Sequence, residues 1–157
     1  MRPPAPVYRV PLPDLAATHA LARRLAGLAR PGDTIALSGD LGAGKTEWAR
    51  AFVRARLGRP DEEVPSPTFT LVQIYGDGDG EIWHADLYRL THPDEALELG
   101  LEDALGHAIV VLEWPERIAR LLPRDRLDIA FTLTDGARFA DLVPHGNWID
   151  RMTGALP

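Results

Sequence analysis

The feature that most constrains this chain is the stretch GDLGAGKT at positions 39–46. It fits the pattern Gly-x4-Gly-Lys-Ser/Thr of a phosphate-binding loop, which lies between a β-strand and an α-helix. An apolar run at 34–37 precedes it, and apolar residues recur at helical spacing between positions 48 and 57, before Gly58. The sequence therefore predicts a strand, a phosphate loop and a helix in this order.

The residue types of this loop explain how it would hold a phosphate. Glycines let the backbone approach a ligand closely, and the amides of the loop and helix start converge where the helix dipole favours an anion. Lys45 is expected to reach the β- and γ-phosphates, and the Thr46 hydroxyl to ligate Mg²⁺. We assign nucleotide binding to the loop and the first helical residues: Gly39, Asp40, Leu41, Gly42, Ala43, Gly44, Lys45, Thr46 and Glu47.

Lys45 is also the only lysine of the chain, although lysine and arginine together number 17. Arginine is planar, forked and bulkier, so it cannot replace a compact ammonium group in a narrow phosphate cradle. A single lysine has to lie somewhere, but its position inside the motif supports a role in phosphate binding.

Composition narrows the function classes. The length of 157 residues predicts a single domain, 1–157, with a loosely defined tail at 144–157. The absence of cysteine excludes disulfides and thiolate metal sites. A net charge of −6 disfavours tight, direct binding of nucleic acid. No apolar leader or membrane-length run occurs, so we expect a cytoplasmic protein. One local basic stretch is interpreted as a solvated helix face: Arg50, Arg54, Arg56 and Arg59.

Periodicity and turn residues predict the remaining elements. The helix at 15–29 should begin at an Asp14 cap and bury the stripe Leu15, Leu21, Leu25 and Leu28. The others are an edge strand at 7–10, a hairpin of 70–75 and 81–86, a short acidic helix capped by Thr91, a buried strand at 108–112, a helix at 114–122, and a hairpin of 126–133 and 138–143. Together they predict a three-layer α/β fold with a mostly parallel central sheet and antiparallel hairpin strands.

Two carboxylates follow predicted strands and complete the candidate site. Asp86 ends the strand of the first hairpin, and Glu113 follows the buried strand. Ligands of open α/β sheets bind outside the carboxyl ends of the strands. We therefore expect one carboxylate to serve Mg²⁺ and the other to orient water, with the assignment between them open, and Lys45, Asp86 and Glu113 as the catalytic set. His84 is expected to be a packed or hydrogen-bonded neighbour.

Four motifs in this order resemble the TsaE (YjeE) family of small P-loop ATPases, which serves in making threonylcarbamoyladenosine on tRNA. They are the phosphate loop, SPTF at 66–69, HADLYR at 84–89 and EWPER at 113–117. The resemblance implies a P-loop NTPase fold that binds ATP or ADP with Mg²⁺, with Thr46 and Glu113 as metal-linked residues. It further implies nucleotide contacts from Thr18, Glu116 and Arg138, and a switch-like loop carrying Ser66 and Thr68.

The resemblance also implies partners. Family members work with TsaB and TsaD homologues, and TsaD transfers the threonylcarbamoyl group, so the ATPase would meet tRNA only through the complex. One departure from the family pattern is Glu47, where many relatives carry a second threonine. Two alternatives stay open: a small-molecule kinase with a lid at 117–126, and a nucleotide-sensing module with negligible turnover.

Overall fold

The computed structural model describes residues 6–153, apart from the side chain of Asp79. Its strands are β1 (Tyr8–Pro11), β2 (Thr34–Ser38), β3 (Val72–Tyr75), β4 (Ile82–Asp86), β5 (Ile109–Glu113), β6 (Arg126–Thr134) and β7 (Ala137–His145). Its helices are α1 (Leu15–Leu28), α2 (Lys45–Leu57), α3 (Asp94–Glu98), α4 (Leu101–Ala104) and α5 (Trp148–Met152). Two 3-10 segments, Gly78–Gly80 and Pro115–Leu121, complete the described chain.

The strands form one sheet of seven in the order β1-β7-β6-β2-β5-β4-β3. The four middle strands, β6, β2, β5 and β4, run parallel to one another. Antiparallel pairing adds β7 and β1 on one side and β3 on the other. This architecture confirms the predicted P-loop α/β fold with a mostly parallel centre and antiparallel additions.

Two apolar cores on opposite faces of the sheet make the fold three-layered. Alternate residues of a strand point to opposite faces. Accordingly Ile109 and Val111 of β5 pack in the core that includes α1, α2 and α5, whereas Val110 and Leu112 pack in the core that includes α3 and α4. Every residue of β5 is buried, which explains its continuous apolar run.

The first helix begins as predicted, and three of the four residues of its predicted stripe, Leu21, Leu25 and Leu28, pack in or against the core. The Asp14 carboxylate accepts a hydrogen bond from the amide of Ala17 at 2.8 Å, which confirms the cap. Leu15, however, is 56% exposed. At 3.6 residues per turn, Leu15 lies about 120° around the helix axis from Leu21. Thr18 falls on the buried stripe instead and is 3% exposed.

Two other local predictions were wrong. The segment predicted as a helix at 114–122 forms 3-10 turns, because Trp114 is left-handed (φ 62°) and Ile118 has a non-helical φ of −131°. Thr91 does not cap the acidic helix, which begins only at Asp94. The Thr91 hydroxyl instead donates to the Glu95 carboxylate.

The arginines of α2 are not a simple solvated face. Three of them donate to backbone carbonyls outside the helix: Arg50 to Val64, Arg54 to Glu62 and Arg56 to Ala26. Arg59 has a 69% exposed side chain in a loose ion pair with Glu62, but it lies after Gly58 and therefore outside the helix. Through Arg50 and Arg54, the helix thereby fixes the backbone at Glu62 and Val64, in the loop that follows it. None of the helices within residues 6–153 combines the length and apolar character needed to cross a membrane.

Candidate functional site

The phosphate loop joins β2, a central strand, to α2, and two of its glycines are required by its geometry. Gly39 has a φ of 135°, and a Cβ there would lie 2.6 Å from the carbonyl oxygen of Phe131. Gly44 has a φ of 111° and precedes the first residue of α2. Only glycine adopts these conformations without strain.

The amides of this loop are available to an anion. Among residues 6–153, no protein acceptor is found for the backbone N–H groups of Gly42, Gly44, Lys45 and Thr46. The first amides of a helix have no partner inside the helix, and the helix dipole adds positive potential there. The residues present therefore fit a phosphate group.

Lys45 is held inside the loop and is only 5% exposed. Its Nζ donates to the carbonyls of Gly39 and Asp40, the latter at 3.1 Å, and lies 4.0 Å from the ring centroid of Trp114. Burial lowers the pKa of Lys45, while nearby carboxylates, led by Glu113, act in the opposite direction. The direct contacts of this buried ammonium group are two carbonyls and an aromatic ring, all of them neutral. A phosphate bound at the loop would give it a negatively charged partner.

Glu113 is fixed from two sides. Parallel pairing places it opposite Leu37 of β2 and Asp86 of β4, at the carboxyl end of the sheet. One of its carboxylate oxygens accepts the Thr46 hydroxyl at 2.8 Å, and the other lies 2.7 Å from Nε2 of His84. A carboxylate only accepts, so Nε2 of His84 carries the proton and donates it.

Because the Thr46 hydroxyl gives its hydrogen to Glu113, the lone pairs of its oxygen stay free for a metal. Glu113 already uses both oxygens in hydrogen bonds. No group of three or more His, Asp or Glu side chains in the described chain is arranged to hold a metal ion alone. Mg²⁺ sites at nucleotide phosphates take only one or two protein ligands, so this donor set fits Mg²⁺ bound together with phosphates.

Asp86 is linked to the predicted switch-like loop. One oxygen of its carboxylate accepts the amide of Tyr88 at 3.0 Å, and the other accepts the Thr68 hydroxyl at 3.2 Å. The hydroxyls of Thr68 and Ser66 lie 2.7 Å apart. The structure therefore brings both predicted loop residues to the carboxylate.

Two cavities flank the phosphate loop. One, of about 350 Å³, is lined by Leu41, Gly42, Gly44, Lys45, Thr46, Glu47, Arg50, Ser66, Thr68, Asp86, Glu113 and Trp114. The other, of about 710 Å³, lies between residues 38–43 and the hairpin of β6 and β7, and Arg138 lines it. Residues of the phosphate loop and the candidate carboxylates thus line the same cavity.

The remaining predicted site residues are placed differently. Glu47 lines the first cavity, but its carboxylate is held by His19 at 3.0 Å and by Arg50 at 3.4 Å. Glu116 is exposed, and its charge acts on Lys45. Thr18 lies buried on α1 and lines neither cavity, so its nucleotide contact stays a prediction.

Sequence reasoning missed Arg50, which lines the first cavity. A signal was present, because Arg50 follows Thr46 by four residues and therefore lies on the same face of α2. The structure also gives His84 and Trp114 specific contacts, to Glu113 and Lys45 respectively.

Known proteins match the chain over most of its length. A family model described as "Threonylcarbamoyl adenosine biosynthesis protein TsaE" matches residues 12–139. A Bacillus subtilis protein named "tRNA threonylcarbamoyladenosine biosynthesis protein TsaE" is 42% identical over 113 residues, covering 71% of this chain and 69% of that protein. A Streptomyces coelicolor protein of the same name is 40% identical over 128 residues, 80% of this chain and 84% of that protein.

A protein of the same name from Rickettsia felis is 40% identical over 118 residues, 75% of this chain and 68% of that protein. Among solved structures, the crystal structure of Bacillus subtilis YdiB superposes with a TM-score of 0.75 and 29% identity. The match covers 96% of this chain and 95% of the other.

Proposed function

Because the chain belongs to the TsaE family of threonylcarbamoyl adenosine biosynthesis proteins, we propose that it is a Mg²⁺-dependent ATPase acting with partner proteins in this tRNA modification. The observation that carries the proposal is one cavity of about 350 Å³ shared by Lys45, Thr46, Asp86 and Glu113. A phosphate loop beside strand-end carboxylates is the arrangement used for phosphoryl transfer.

In this proposal the loop amides and Lys45 bind the phosphates. Lys45 exchanges its two carbonyl acceptors for phosphate oxygens, which gives the buried ammonium a charged partner. Thr46 would hold Mg²⁺ through its hydroxyl oxygen, and Glu113 would orient that hydroxyl by accepting its hydrogen. When bound, Mg²⁺ neutralises charge on the phosphates.

Asp86 is the residue best placed to orient the attacking water. Its carboxylate lies in the same cavity as the loop, and its two present partners are an amide and the hydroxyl of Thr68. A water hydrogen-bonded to Asp86 would replace or extend the Thr68 contact. General-base positioning of this kind contributes about 10²- to 10⁴-fold in rate.

The role of partners follows from the family and from charge. The net charge of −6 makes this chain a poor direct ligand for tRNA. We therefore propose that this chain works in a complex with other Tsa proteins, namely TsaB and TsaD homologues. In that complex the partners, and not this chain, bind the tRNA. If the complex supplies a group that stabilises the transition state, turnover by the isolated chain is slow, since such a group is worth about 10³- to 10⁵-fold.

The deciding experiment is steady-state hydrolysis of Mg-ATP by the purified protein, alone and with TsaB and TsaD homologues from one organism. We expect slow release of phosphate alone and a clear increase in the complex. Nucleotide binding without hydrolysis in either state would favour a nucleotide sensor. Phosphate transfer to an added hydroxyl acceptor would favour a kinase, and either result would overturn the ATPase proposal.

A further inference from the structure

Arg50 links the helix that follows the phosphate loop to the segment that carries Ser66 and Thr68. It lies one turn after Thr46 on α2 and lines the same cavity. Its Nε donates to the carbonyl of Val64 at 2.8 Å, and another of its nitrogens lies 3.4 Å from the Glu47 carboxylate. Arginine is suited to this double contact because its donors are held in a rigid fork.

The segment held by Arg50 is stiff and has a second attachment at the cavity. Val64 is 3% exposed and belongs to the core, and prolines at 65 and 67 fix the backbone on both sides of Ser66. Further on, the Thr68 hydroxyl donates to Asp86. A short stiff segment fixed at both ends keeps its middle in register with both anchors, so Arg50 sets the distance of Ser66 and Thr68 from Asp86.

The same helix contains a natural comparison. Arg54, one turn further along α2, donates through its Nε to the carbonyl of Glu62 at 2.9 Å. The chemistry, the helix and the connecting loop are the same, but Arg54 is absent from the lining of the cavity at the phosphate loop. A purely structural role predicts that loss of either guanidinium loosens only the backbone beside its own acceptor and leaves kcat unchanged.

We infer that Arg50 is a positioning residue: through the Val64 carbonyl it holds the segment with Ser66 and Thr68 at the Asp86 side of the phosphate cavity. In the nucleotide-free protein this contact keeps the segment with Ser66 and Thr68 in one conformation. The effect of Arg50 on turnover rests on the proposed ATPase function. It acts through Thr68 and Asp86. Phosphate binding by the loop does not depend on it.

The test compares Arg50→Lys with Arg54→Lys by amide hydrogen exchange in the nucleotide-free protein. Lysine keeps the positive charge but lacks the Nε–H donor and the fork. We expect Arg50→Lys to increase exchange of the amides of Ser66 and residues 68–71 roughly ten-fold, the equivalent of one lost charge-assisted hydrogen bond; Pro67 has no amide hydrogen. Arg54→Lys should leave those amides within about two-fold of the wild type and affect the amides of residues 58, 59 and 61–63 instead.

Kinetics supply the second readout. With Mg-ATP, Arg50→Lys should lower kcat roughly ten-fold at a KM close to the wild type, whereas Arg54→Lys should change neither. Equal exchange at 66–71 in the two variants, or equal kcat, would overturn the role of Arg50. A wild type that does not hydrolyse ATP would overturn the ATPase proposal alone, because the exchange comparison needs no nucleotide. If Arg50→Lys does not fold, Arg50→Gln, which keeps an amide donor, takes its place in the same comparison.

Discussion

Nε2 of His84 and a carboxylate oxygen of Glu113 lie 2.7 Å apart, and the two side chains are 0% and 2% exposed. A carboxylate removed from water to this extent must be compensated by hydrogen bonds. Glu113 has two such bonds, from His84 and from Thr46. The imidazole therefore orients the Glu113 carboxylate toward the Thr46 hydroxyl, and His84 lies on the far side of Glu113 from that hydroxyl.

Replacing His84 should leave the buried Glu113 carboxylate with one hydrogen bond fewer. In His84→Met the carboxylate loses its donor without a large change in side-chain volume, so we expect a loss of about 1–3 kcal/mol in the free energy of unfolding. His84→Gln keeps an amide donor near the position of Nε2 and should lose less. Urea unfolding of both variants and the wild type measures the difference. Equal losses for methionine and glutamine would contradict the hydrogen-bond argument.

Thr46 should determine the dependence of nucleotide binding on Mg²⁺. Thr46→Val has the same shape but no hydroxyl, so it removes both the donor to Glu113 and the oxygen proposed for the metal. We expect ADP to bind Thr46→Val equally well with and without Mg²⁺, whereas Thr46→Ser keeps the metal effect. Calorimetric titrations in Mg²⁺ and in EDTA distinguish the two variants. Persistence of the Mg²⁺ effect in Thr46→Val would remove Thr46 from the metal site.

How much of this site could be predicted depends on the kind of interaction. The loop, Asp86 and Glu113 could be predicted because a motif and the ends of apolar runs mark them in the sequence, and adjacent parallel strands then bring the two carboxylates side by side. The spacing of Arg50 from Thr46 indicates its helix face, but its contact could not be predicted in the same way, because the acceptor is the backbone carbonyl of Val64. A backbone acceptor leaves no residue-type signature.

The helix α5 shows a second reason why an element could not be predicted from the sequence pattern. Residues after Pro144 have no firm periodic pattern, yet α5 forms there and Trp148 is fully buried. A helix of five residues has too few turns for a periodic signal and is marginal by itself. Its stability comes from tertiary contacts: Trp148 and Met152 are buried in the core, and Arg151 pairs with Asp33 near the start of β2.

Lys45 should favour nucleotide binding but lower the free energy of unfolding of the nucleotide-free protein. Lys45→Met removes the cation proposed to bind phosphates, so we expect Mg-ATP binding to be lost. The nucleotide-free variant should be more stable than the wild type near neutral pH, because burial of the charged ammonium is unfavourable. Nucleotide titration and urea unfolding measure the two effects. Wild-type affinity in Lys45→Met would overturn the assignment of the loop.

The same residue predicts a pH dependence with a definite sign. Burial lowers the pKa of Lys45 below its ordinary value of 10.5, so the folded protein releases this proton before the unfolded chain does. Between the two values the unfolded state binds more protons, and stability therefore rises with pH. We expect the stability of the wild type relative to Lys45→Met to increase as the pH approaches 10.5. A difference that stays constant would contradict the lowered pKa.

Asp86 should affect hydrolysis more than binding. Asp86→Asn keeps the size of the side chain and an oxygen for the Tyr88 amide, but it cannot accept a proton from water. We expect ATP affinity within about 3-fold of the wild type and a fall in kcat of about 10²- to 10⁴-fold. Thr68→Val leaves the Asp86 carboxylate in place but removes the Thr68 hydroxyl from both Asp86 and Ser66, and it serves as the comparison, with a smaller loss. Unchanged kcat in Asp86→Asn would exclude Asp86 as the residue that orients water.

Arg151 should matter for stability and leave nucleotide binding unchanged. Its guanidinium meets the Asp33 carboxylate at 2.6 and 2.7 Å, and the two side chains are 8% and 6% exposed. Arg151→Met leaves a buried carboxylate without its cation, which costs about 3–5 kcal/mol. The matched control is Arg9→Met, which breaks the solvent-exposed pair with Asp141 and should cost much less, because water screens exposed ion pairs. Urea unfolding measures both, and equal losses would show that α5 is not held by the buried pair.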